Sequence, residues 1–389
     1  MFPIRNVAHE GCAFSGCQLV SQTMGATGDF KSFFGYGDRN NFLDCLRAVA
    51  VFLVVTCHSG LLLGGGVGVS IFFCLSGFLI ASILLHREPT WKNVGHFLFR
   101  RFMRVWPMMF TQIIATAILL CVAAPNYFTD ITDYLASIPG LLTFTSPASQ
   151  AYLLSRSVLW TLQAEFWFYV LMAAAVLTFG RKSLLFLAIA GIAVAWPFKL
   201  GALSVPYTTP PWALILYMDQ LMTGVVCAFA VRQGSAALRI SLQNRAFLWV
   251  PLTAILALAT LRFRGYDYSW FFSSSAVAYL TAVIILHQWA NPFKGDYEPI
   301  ATLGRISYSV YLVHGVVLDF VSGHIFPHTL QFLFYSGIIV AVSMMTYRWV
   351  ELPFINRSKR APSHHSDDVI AHDFRLDGPG AIRAAQRDH

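Results

Sequence analysis

The sequence predicts an all-α, polytopic integral membrane protein with about ten transmembrane helices and both termini on the cytoplasmic side. Apolar residues make up 56% of the 389-residue chain and charged residues only 12%, and the mean hydropathy is +0.59. Soluble domains carry about 25% charged residues. The apolar residues also fall in runs of about 18–24 residues, the length that spans a hydrocarbon core of about 30 Å.

The predicted spans follow one another through the middle of the chain. They cover residues 42–63, 67–86, 105–124, 160–179, 183–200, 210–231, 246–262, 271–290, 306–326 and 330–350. We therefore expect a membrane domain over residues 41–354, preceded by a cytoplasmic N-terminal extension at residues 1–40. Residues 355–389 contain no apolar run and mix charges with histidines, which predicts a disordered cytoplasmic tail.

The loops between the predicted spans alternate in charge. One set carries twelve basic residues, which are Arg87, Lys92, Arg100, Arg101, Arg104, Arg181, Lys182, Arg232, Arg239, Arg245, Lys294 and Arg305. The other set carries four, which are Arg156, Lys199, Arg262 and Arg264. Loops rich in lysine and arginine stay in the cytoplasm, so the first set is predicted to be cytoplasmic. This asymmetry explains the net charge of +8, and nucleic acid is not an expected partner.

Cysteine usage indicates neither a disulfide framework nor a metal site. Of the seven cysteines, five lie in apolar runs, where a free thiol behaves as a small hydrophobic group. The remaining two, Cys12 and Cys17, are too few to form a framework or to bind zinc. We predict no redox role for the cysteines and no metal.

Ionisable residues inside the predicted spans are the strongest indication of function. Each costs about 2.5–3.5 kcal/mol on insertion, so such residues usually face a cavity or a partner. They are Arg47, His58, Glu165, Asp219, His287 and His314, with Asp44 at the end of a span. A purely structural scaffold gives no reason for keeping them. No motif surrounds Asp219 or His287, and neither has a predicted role.

The first span, LDCLRAVAVFLVVTCHSG at residues 43–60, carries Arg47 and His58. At about 100° per residue, eleven positions bring both side chains to one face of a helix, about 16 Å apart along its axis. This spacing predicts an arginine near the cytoplasmic mouth of a cavity and a histidine deeper in it. The alternative is a histidine that is simply packed and hydrogen-bonded.

The next two motifs each have a structural alternative. GGGVGVSIFFCLSGFLI, at residues 64–80, places Ser76 beside a glycine, which indicates either helix packing or a polar group in a cavity. In FLFRRFMRVWP, at residues 97–107, Arg100 and Arg104 share a helical face and Arg101 flanks it. These arginines form either an ordinary cytoplasmic loop or a clamp for phosphate, which the guanidinium fork binds well.

The later motifs add a carboxylate and a polar stripe. In LWTLQAEFWFY, at residues 159–169, an interfacial aromatic belt explains the rings but not Glu165, which either pairs with a cation or takes part in proton transfer. LGRISYSVYLVH, at residues 303–314, spreads three polar residues over two helical turns: Tyr308, Tyr311 and His314. Tyrosines at a membrane interface are the alternative there. YRWVELP closes the tenth span at residues 347–353.

Taken in order, these stretches resemble the membrane-bound acyltransferase family three over about residues 41–354. The opening helix of that family pairs a basic residue with a histidine after ten intervening residues, as Arg47 and His58 are paired here. Two positions depart from the pattern. Ser70 stands where many members have an acidic residue, and Glu165 is single where some members have two adjacent glutamates.

The resemblance implies transfer of an acyl group, usually acetyl, from acetyl-CoA or another acyl-CoA to a hydroxyl of a sugar or glycan. It also implies a multi-pass protein of the bacterial inner membrane, with the lipid bilayer, acyl-CoA and a glycan as partners. His58 would then be the general base, with Glu165 orienting it or binding the acceptor. The implied donor-binding residues are Arg47, Arg100, Arg101 and Arg104. The implied cavity or acceptor residues are Ser76, Tyr308, Tyr311 and His314.

A transporter of a sugar or of a lipid-linked intermediate is the alternative from another functional class. Charged residues that line a cavity would serve transport as well as catalysis. No internal repeat is visible in the sequence, which counts against a transporter built from inverted repeats.

Overall fold

The computed structural model describes residues 41–61, 66–123, 128–145, 158–203, 212–260, 268–292, 297–321 and 328–360. Over these ranges the chain forms helices and short connections and contains no strand, which confirms the all-α class. Residues 1–40 and most of the predicted tail lie outside the described part.

We number the helices in chain order. They are α1 (Asn41–His58), α2 (Gly66–His86), α3 (Trp91–Ala123), α4 (Phe128–Leu142), α5 (Leu159–Phe179), α6 (Ser183–Lys199), α7 (Trp212–Gln233), α8 (Ala236–Ser241), α9 (Ala246–Thr260), α10 (Tyr268–Ala290), α11 (Glu298–Arg305), α12 (Ser307–Val321), α13 (His328–Thr346) and α14 (Leu352–Arg360). A π-helical turn, Tyr347–Glu351, joins α13 to α14.

Every predicted span overlaps a helix, but fewer helices qualify as membrane spans by length and composition. In the described part of the chain, five helices are long and apolar enough: Asn41–His58, Gly66–His86, Leu159–Phe179, Leu214–Gln233 and Leu330–Ser358. A sixth is possible if Glu298–Arg305 and Ser307–Leu318, which are bent by 65°, form one broken span. Helices α6 and α9 are apolar but shorter.

Three segments differ from the sequence-based expectation. The arginine segment at residues 97–104 is not a loop, because it continues the 33-residue helix α3. Helix α4 lies between two predicted spans and was not predicted. Helix α14 continues to Arg360, so the predicted disordered tail does not begin at residue 355.

The chain divides into two units, which are described separately. Unit 1 takes the described residues within Met1–His86, Phe179–Pro206 and Leu214–Ser307. Unit 2 takes those within Arg87–Thr178, Tyr207–Ala213 and Tyr308–His389. In unit 1, α1 packs on α2 and α11, and α10 packs on α2 and α9. In unit 2, α3 packs on α4, α14 and the π-helical turn.

Two glycines allow α2 and α7 of unit 1 to approach closely. A Cβ atom on Gly77 would lie 1.8 Å from the carbonyl oxygen of Leu221. A Cβ atom on Gly224 would lie 2.1 Å from the carbonyl oxygen of Cys74. Because only a hydrogen fits at either position, the two backbones are in direct contact, as is typical of small residues between membrane helices.

A buried ion pair joins α6 to α7 in unit 1. The Lys199 ammonium lies 2.7 Å from a carboxylate oxygen of Asp219, and both side chains are fully buried. The same ammonium also donates to the hydroxyl of Ser275 on α10. The prediction of Lys199 as an outer loop residue is therefore wrong, and Asp219, which had no predicted role, is its counter-ion.

Candidate active site

His58 is the last residue of α1, which ends before residue 63, the end of the predicted span. The amide of Leu61 donates to the carbonyl of Thr56 at 3.0 Å, and the amide of Gly60 donates to the carbonyl of Cys57 at 2.9 Å. Gly60 has a φ of 79°. These features form a Schellman motif, in which glycine takes the left-handed position after the helix. The histidine-serine-glycine sequence thus fixes where the helix ends.

Arg47, near the start of the same helix, has a carboxylate partner one turn earlier. Its guanidinium lies 2.8 Å from an oxygen of Asp44, which is buried. A Cβ atom on Gly304 would lie 1.7 Å from the Asp44 carbonyl oxygen, so α11 is in direct backbone contact with α1 there. Arg305, the next residue, pairs with Glu298. The start of α1 therefore lies in a charged cluster within unit 1.

A cavity of about 260 Å³ lies in unit 2 between α3 and α5. Arg101 of α3 and Glu165 and Tyr169 of α5 contribute its polar groups. The Tyr169 hydroxyl donates to the Glu165 carboxylate one helical turn away. The Arg101 guanidinium lies 6.0 Å from the centre of the Tyr169 ring and 5.8 Å from that of Phe97, in cation–π range of both. Glu165 therefore shares a cavity with a cation.

The position of this cavity along α5 follows from that of Tyr169. Tyr169 is the eleventh of the 21 residues of α5, a helix long enough to span a membrane. Because Arg101 lies over its ring, the guanidinium is near the middle of α5. The sequence counted this arginine among the cytoplasmic basic residues, in either an ordinary loop or a phosphate clamp. The structure places it in the same cavity as the Glu165 carboxylate.

Phe144 also lines the cavity, and its backbone is left-handed. Its φ of 58° is the only positive value outside glycine among the described residues. Its ring is 3% exposed and stacks on Phe166 with the ring centres 4.3 Å apart. Its carbonyl accepts a hydrogen bond from the indole of Trp167 at 3.0 Å. The turn after helix α4 therefore has a phenylalanine where glycine is usual, and its ring forms part of the cavity wall.

The polar stripe on α12 contacts two other helices of unit 2. The Tyr308 hydroxyl donates to the carbonyl of Val105 on α3 at 2.7 Å. The Tyr311 hydroxyl lies 2.8 Å from that of Thr161 on α5. His314 is fully buried, and its Nδ1 lies 2.7 Å from the Tyr311 carbonyl oxygen. Because a carbonyl only accepts, Nδ1 carries the proton.

Glu351 is a second carboxylate in this region, and the sequence reading did not single it out. It is 1% exposed and accepts a hydrogen bond from the Ser309 hydroxyl at 2.7 Å. Tyr308, beside Ser309, lies within electrostatic range of Glu351, Glu165 and Arg104. The YRWVELP motif contains Glu351, but only the fold shows that this carboxylate is buried near α3.

The remaining predicted site residues fall in both units. Arg100 and Arg104 are half-buried on α3, and Arg104 lies within electrostatic range of Tyr169. Ser76 is half-buried in unit 1, next to the glycine that contacts α7. Unit 2 thus brings Arg101, Arg104, Glu165 and Tyr308 into one region. In the described part of the chain, no three His, Cys, Asp or Glu residues are arranged to hold a metal ion.

Comparison with known proteins identifies the family. A family model described as an acyltransferase domain matches residues 40–348, which is most of the chain. The chain belongs to this acyltransferase family. The resemblance that the ordered motifs indicated is therefore confirmed. Membership also favours a transferase over the transporter alternative.

Three curated relatives illustrate the range of the family. Peptidoglycan O-acetyltransferase OatA of Listeria monocytogenes is 24% identical over 82% of this chain and 57% of its own length. The putative membrane-bound transacylase BcsY of Komagataeibacter xylinus is 23% identical over 84% of this chain and 85% of its own. A putative O-acetyltransferase of Staphylococcus aureus is 23% identical over 84% of this chain and 59% of its own. The chain thus spans somewhat more than half the length of two of them. No solved structure matches the chain.

Proposed function

We propose that the protein is an integral membrane O-acyltransferase that transfers an acyl group, acetyl in the simplest case, from acyl-CoA to a hydroxyl of a sugar or glycan. The observation that carries this proposal is the cavity near the middle of α5, where Arg101 and Glu165 share one apolar space. Family membership supports the reaction class. The relatives named as O-acetyltransferases, one of them acting on peptidoglycan, support a polysaccharide acceptor.

The proposed reaction needs one base and one group that stabilises negative charge. The acceptor hydroxyl attacks the thioester carbon, the new C–O bond forms, and the C–S bond breaks. We assign removal of the hydroxyl proton to His58, since neutral imidazole is a suitable base near pH 7. The proton then passes to the departing sulfur, which leaves as the coenzyme A thiol. A guanidinium is suited to stabilise the oxyanion between these steps, and Arg101 is the candidate.

The other residues bind the two substrates in this proposal. Arg100 and Arg104 share one face of α3 and hold phosphates of the donor. Arg47, with Asp44 beside it, contributes to the donor site from α1. Glu165 binds an acceptor hydroxyl. The acceptor side is completed by Ser76, Tyr308, Tyr311 and His314.

The full topology belongs to the same proposal. We infer ten spans in the bacterial inner membrane, with the N- and C-terminal ends in the cytoplasm. The bend between α11 and α12 and the short apolar helices α6 and α9 are compatible with ten, since each predicted span overlaps a helix. The distribution of basic residues supports the orientation.

The test is incorporation of radiolabelled acetyl from acetyl-CoA into the glycan fraction by membranes that contain the protein. We expect His58→Ala and His58→Gln to abolish transfer, because neither side chain accepts a proton near pH 7. Full transfer by His58→Ala would refute the role of His58. Failure of the unmodified protein to transfer acetyl from acetyl-CoA would refute acetyl-CoA as the donor.

Donor binding is tested separately with the double variant Arg100→Ala, Arg104→Ala. Losing two charge-assisted hydrogen bonds worth about 1.5–3 kcal/mol each predicts a KM for acetyl-CoA raised by about a hundred-fold or more. Arg245→Ala is the matched control, because Arg245 is exposed in the connection before α9. An unchanged KM in the double variant would contradict the phosphate clamp.

A further inference from the structure

The cavity between α3 and α5 is far more apolar than the substrates of the proposed reaction. Eight of its eleven lining residues have aliphatic or aromatic side chains, among them Leu98, Phe102, Leu162, Phe166 and Val170. Only three lining residues contribute polar side-chain groups, and these are the arginine, glutamate and tyrosine already described. Most of the wall therefore offers no hydrogen bond to an occupant.

We propose that this cavity is the binding site for the acyl chain of the donor, and that the protein accepts acyl groups longer than acetyl. This inference rests on the proposed function. A sugar has several hydroxyls, and the pantetheine arm of coenzyme A has two amides. Burying any of them against hydrocarbon without a partner is costly. The tail of an acyl group has no polar atom and loses nothing in such a site.

The volume of the cavity exceeds what an acetyl group needs. A water molecule occupies about 30 Å³ in the liquid, and a methylene group is of similar size. The cavity, at about 260 Å³, has room for roughly eight groups of that size. An acetyl methyl would leave most of this space empty, whereas acyl chains of about four to six carbons would fill much of it.

The position of the polar groups determines the orientation of the bound acyl chain. Arg101 and Glu165 line the same cavity as the apolar side chains, so a thioester carbonyl beside the guanidinium leaves the tail among the hydrocarbon walls. Phe99 and Phe102 are 41% and 39% exposed, so their rings are partly open at the surface of α3. The tail of a longer acyl group can extend along these rings. The three polar groups are thus concentrated at the reacting end of the acyl group.

The experiment compares kcat/KM for acetyl-, butyryl- and hexanoyl-CoA in the unmodified protein and in two variants that fill the cavity. Val170→Phe on α5 and Leu98→Phe on α3 change half-buried residues on different helices, so misfolding of one leaves the other informative. Ile118→Phe is the matched control, because Ile118 is 58% exposed on α3 and outside the cavity.

Each methylene moved from water into an apolar site contributes a factor of about four to affinity. We therefore expect the unmodified protein to use butyryl-CoA at least as well as acetyl-CoA. Each filling variant should lower the butyryl-to-acetyl ratio of kcat/KM by roughly ten-fold, since butyryl has two more methylenes than acetyl. Ile118→Phe should leave the ratio unchanged.

The outcomes separate this inference from the function on which it rests. Acetyl transfer without butyryl or hexanoyl transfer would overturn the acyl-chain site and leave the acyltransferase intact. An unchanged ratio in both filling variants would also overturn it. Absence of transfer from every acyl-CoA would overturn both proposals.

Discussion

The left-handed backbone at Phe144 gives the most direct test of the cavity wall. Replacing Phe144 by alanine removes a ring that is 3% exposed and leaves a β-carbon at a φ of 58°. Replacing it by glycine removes the same ring and also the β-carbon. The two variants therefore differ in the cost of the folded backbone conformation and in the flexibility of the unfolded chain.

The magnitudes follow from these two contributions. Loss of a buried phenylalanine side chain lowers the free energy of unfolding by about 3–5 kcal/mol. The left-handed conformation costs a residue with a β-carbon about 1–2 kcal/mol. Glycine avoids that cost but is more flexible in the unfolded chain, which lowers the free energy of unfolding by about 0.4–1 kcal/mol. We expect Phe144→Gly to be more stable than Phe144→Ala by about 0.5–1 kcal/mol.

The assay is thermal unfolding of the purified protein and its variants in one detergent. Phe179 supplies the matched control, because it is 80% exposed and ends α5 with no positive φ. There the order should reverse by up to about 1 kcal/mol, since glycine has a lower helix propensity than alanine. If Phe144→Ala is as stable as Phe144→Gly, the left-handed conformation does not determine the stability of this turn, and our reasoning about it fails.

Two further predictions concern unit 1. Asp219→Leu should lower the free energy of unfolding by about 3–5 kcal/mol, because it leaves the Lys199 charge buried alone. The double variant Asp219→Leu, Lys199→Met should recover most of this loss, as measured by chemical denaturation. If its free energy of unfolding is no higher than that of Asp219→Leu alone, the pair is not coupled. Gly77→Ala should lower the melting temperature, because its β-carbon would lie 1.8 Å from the Leu221 carbonyl oxygen. Gly95→Ala on α3 is the control and should not lower it, because Gly95 has open space around it. Equal melting temperatures in the two alanine variants would contradict the close contact of α2 and α7.

Part of the site was predictable because it depends on one helix at a time. The spacing of Arg100 and Arg104 fixes a shared face on any helix, and so does that of Arg47 and His58. Gly60, which follows His58 by two residues, is a recognised helix-ending signal. The predicted span continued past this signal to residue 63 and was therefore too long.

Other features could not be predicted because they join segments that are distant in sequence. Nothing local to Lys199 shows that its partner is Asp219 on the following helix, so it read as an outer loop residue. The burial of Glu351 against Ser309 depends on α12 and the π-helical turn meeting. Phe144 follows a helix that the hydropathy pattern did not reveal.

By itself, the sequence determined the membrane class, the helical character of every predicted span and the family, because hydropathy, charge and ordered motifs are properties of single segments. Only the tertiary structure decided that Arg101 lies near the middle of α5 and that the cavity it shares with Glu165 is mostly apolar. The physical reason is that helical periodicity fixes which residues share a face, whereas the partner of that face depends on how side chains from separate helices pack.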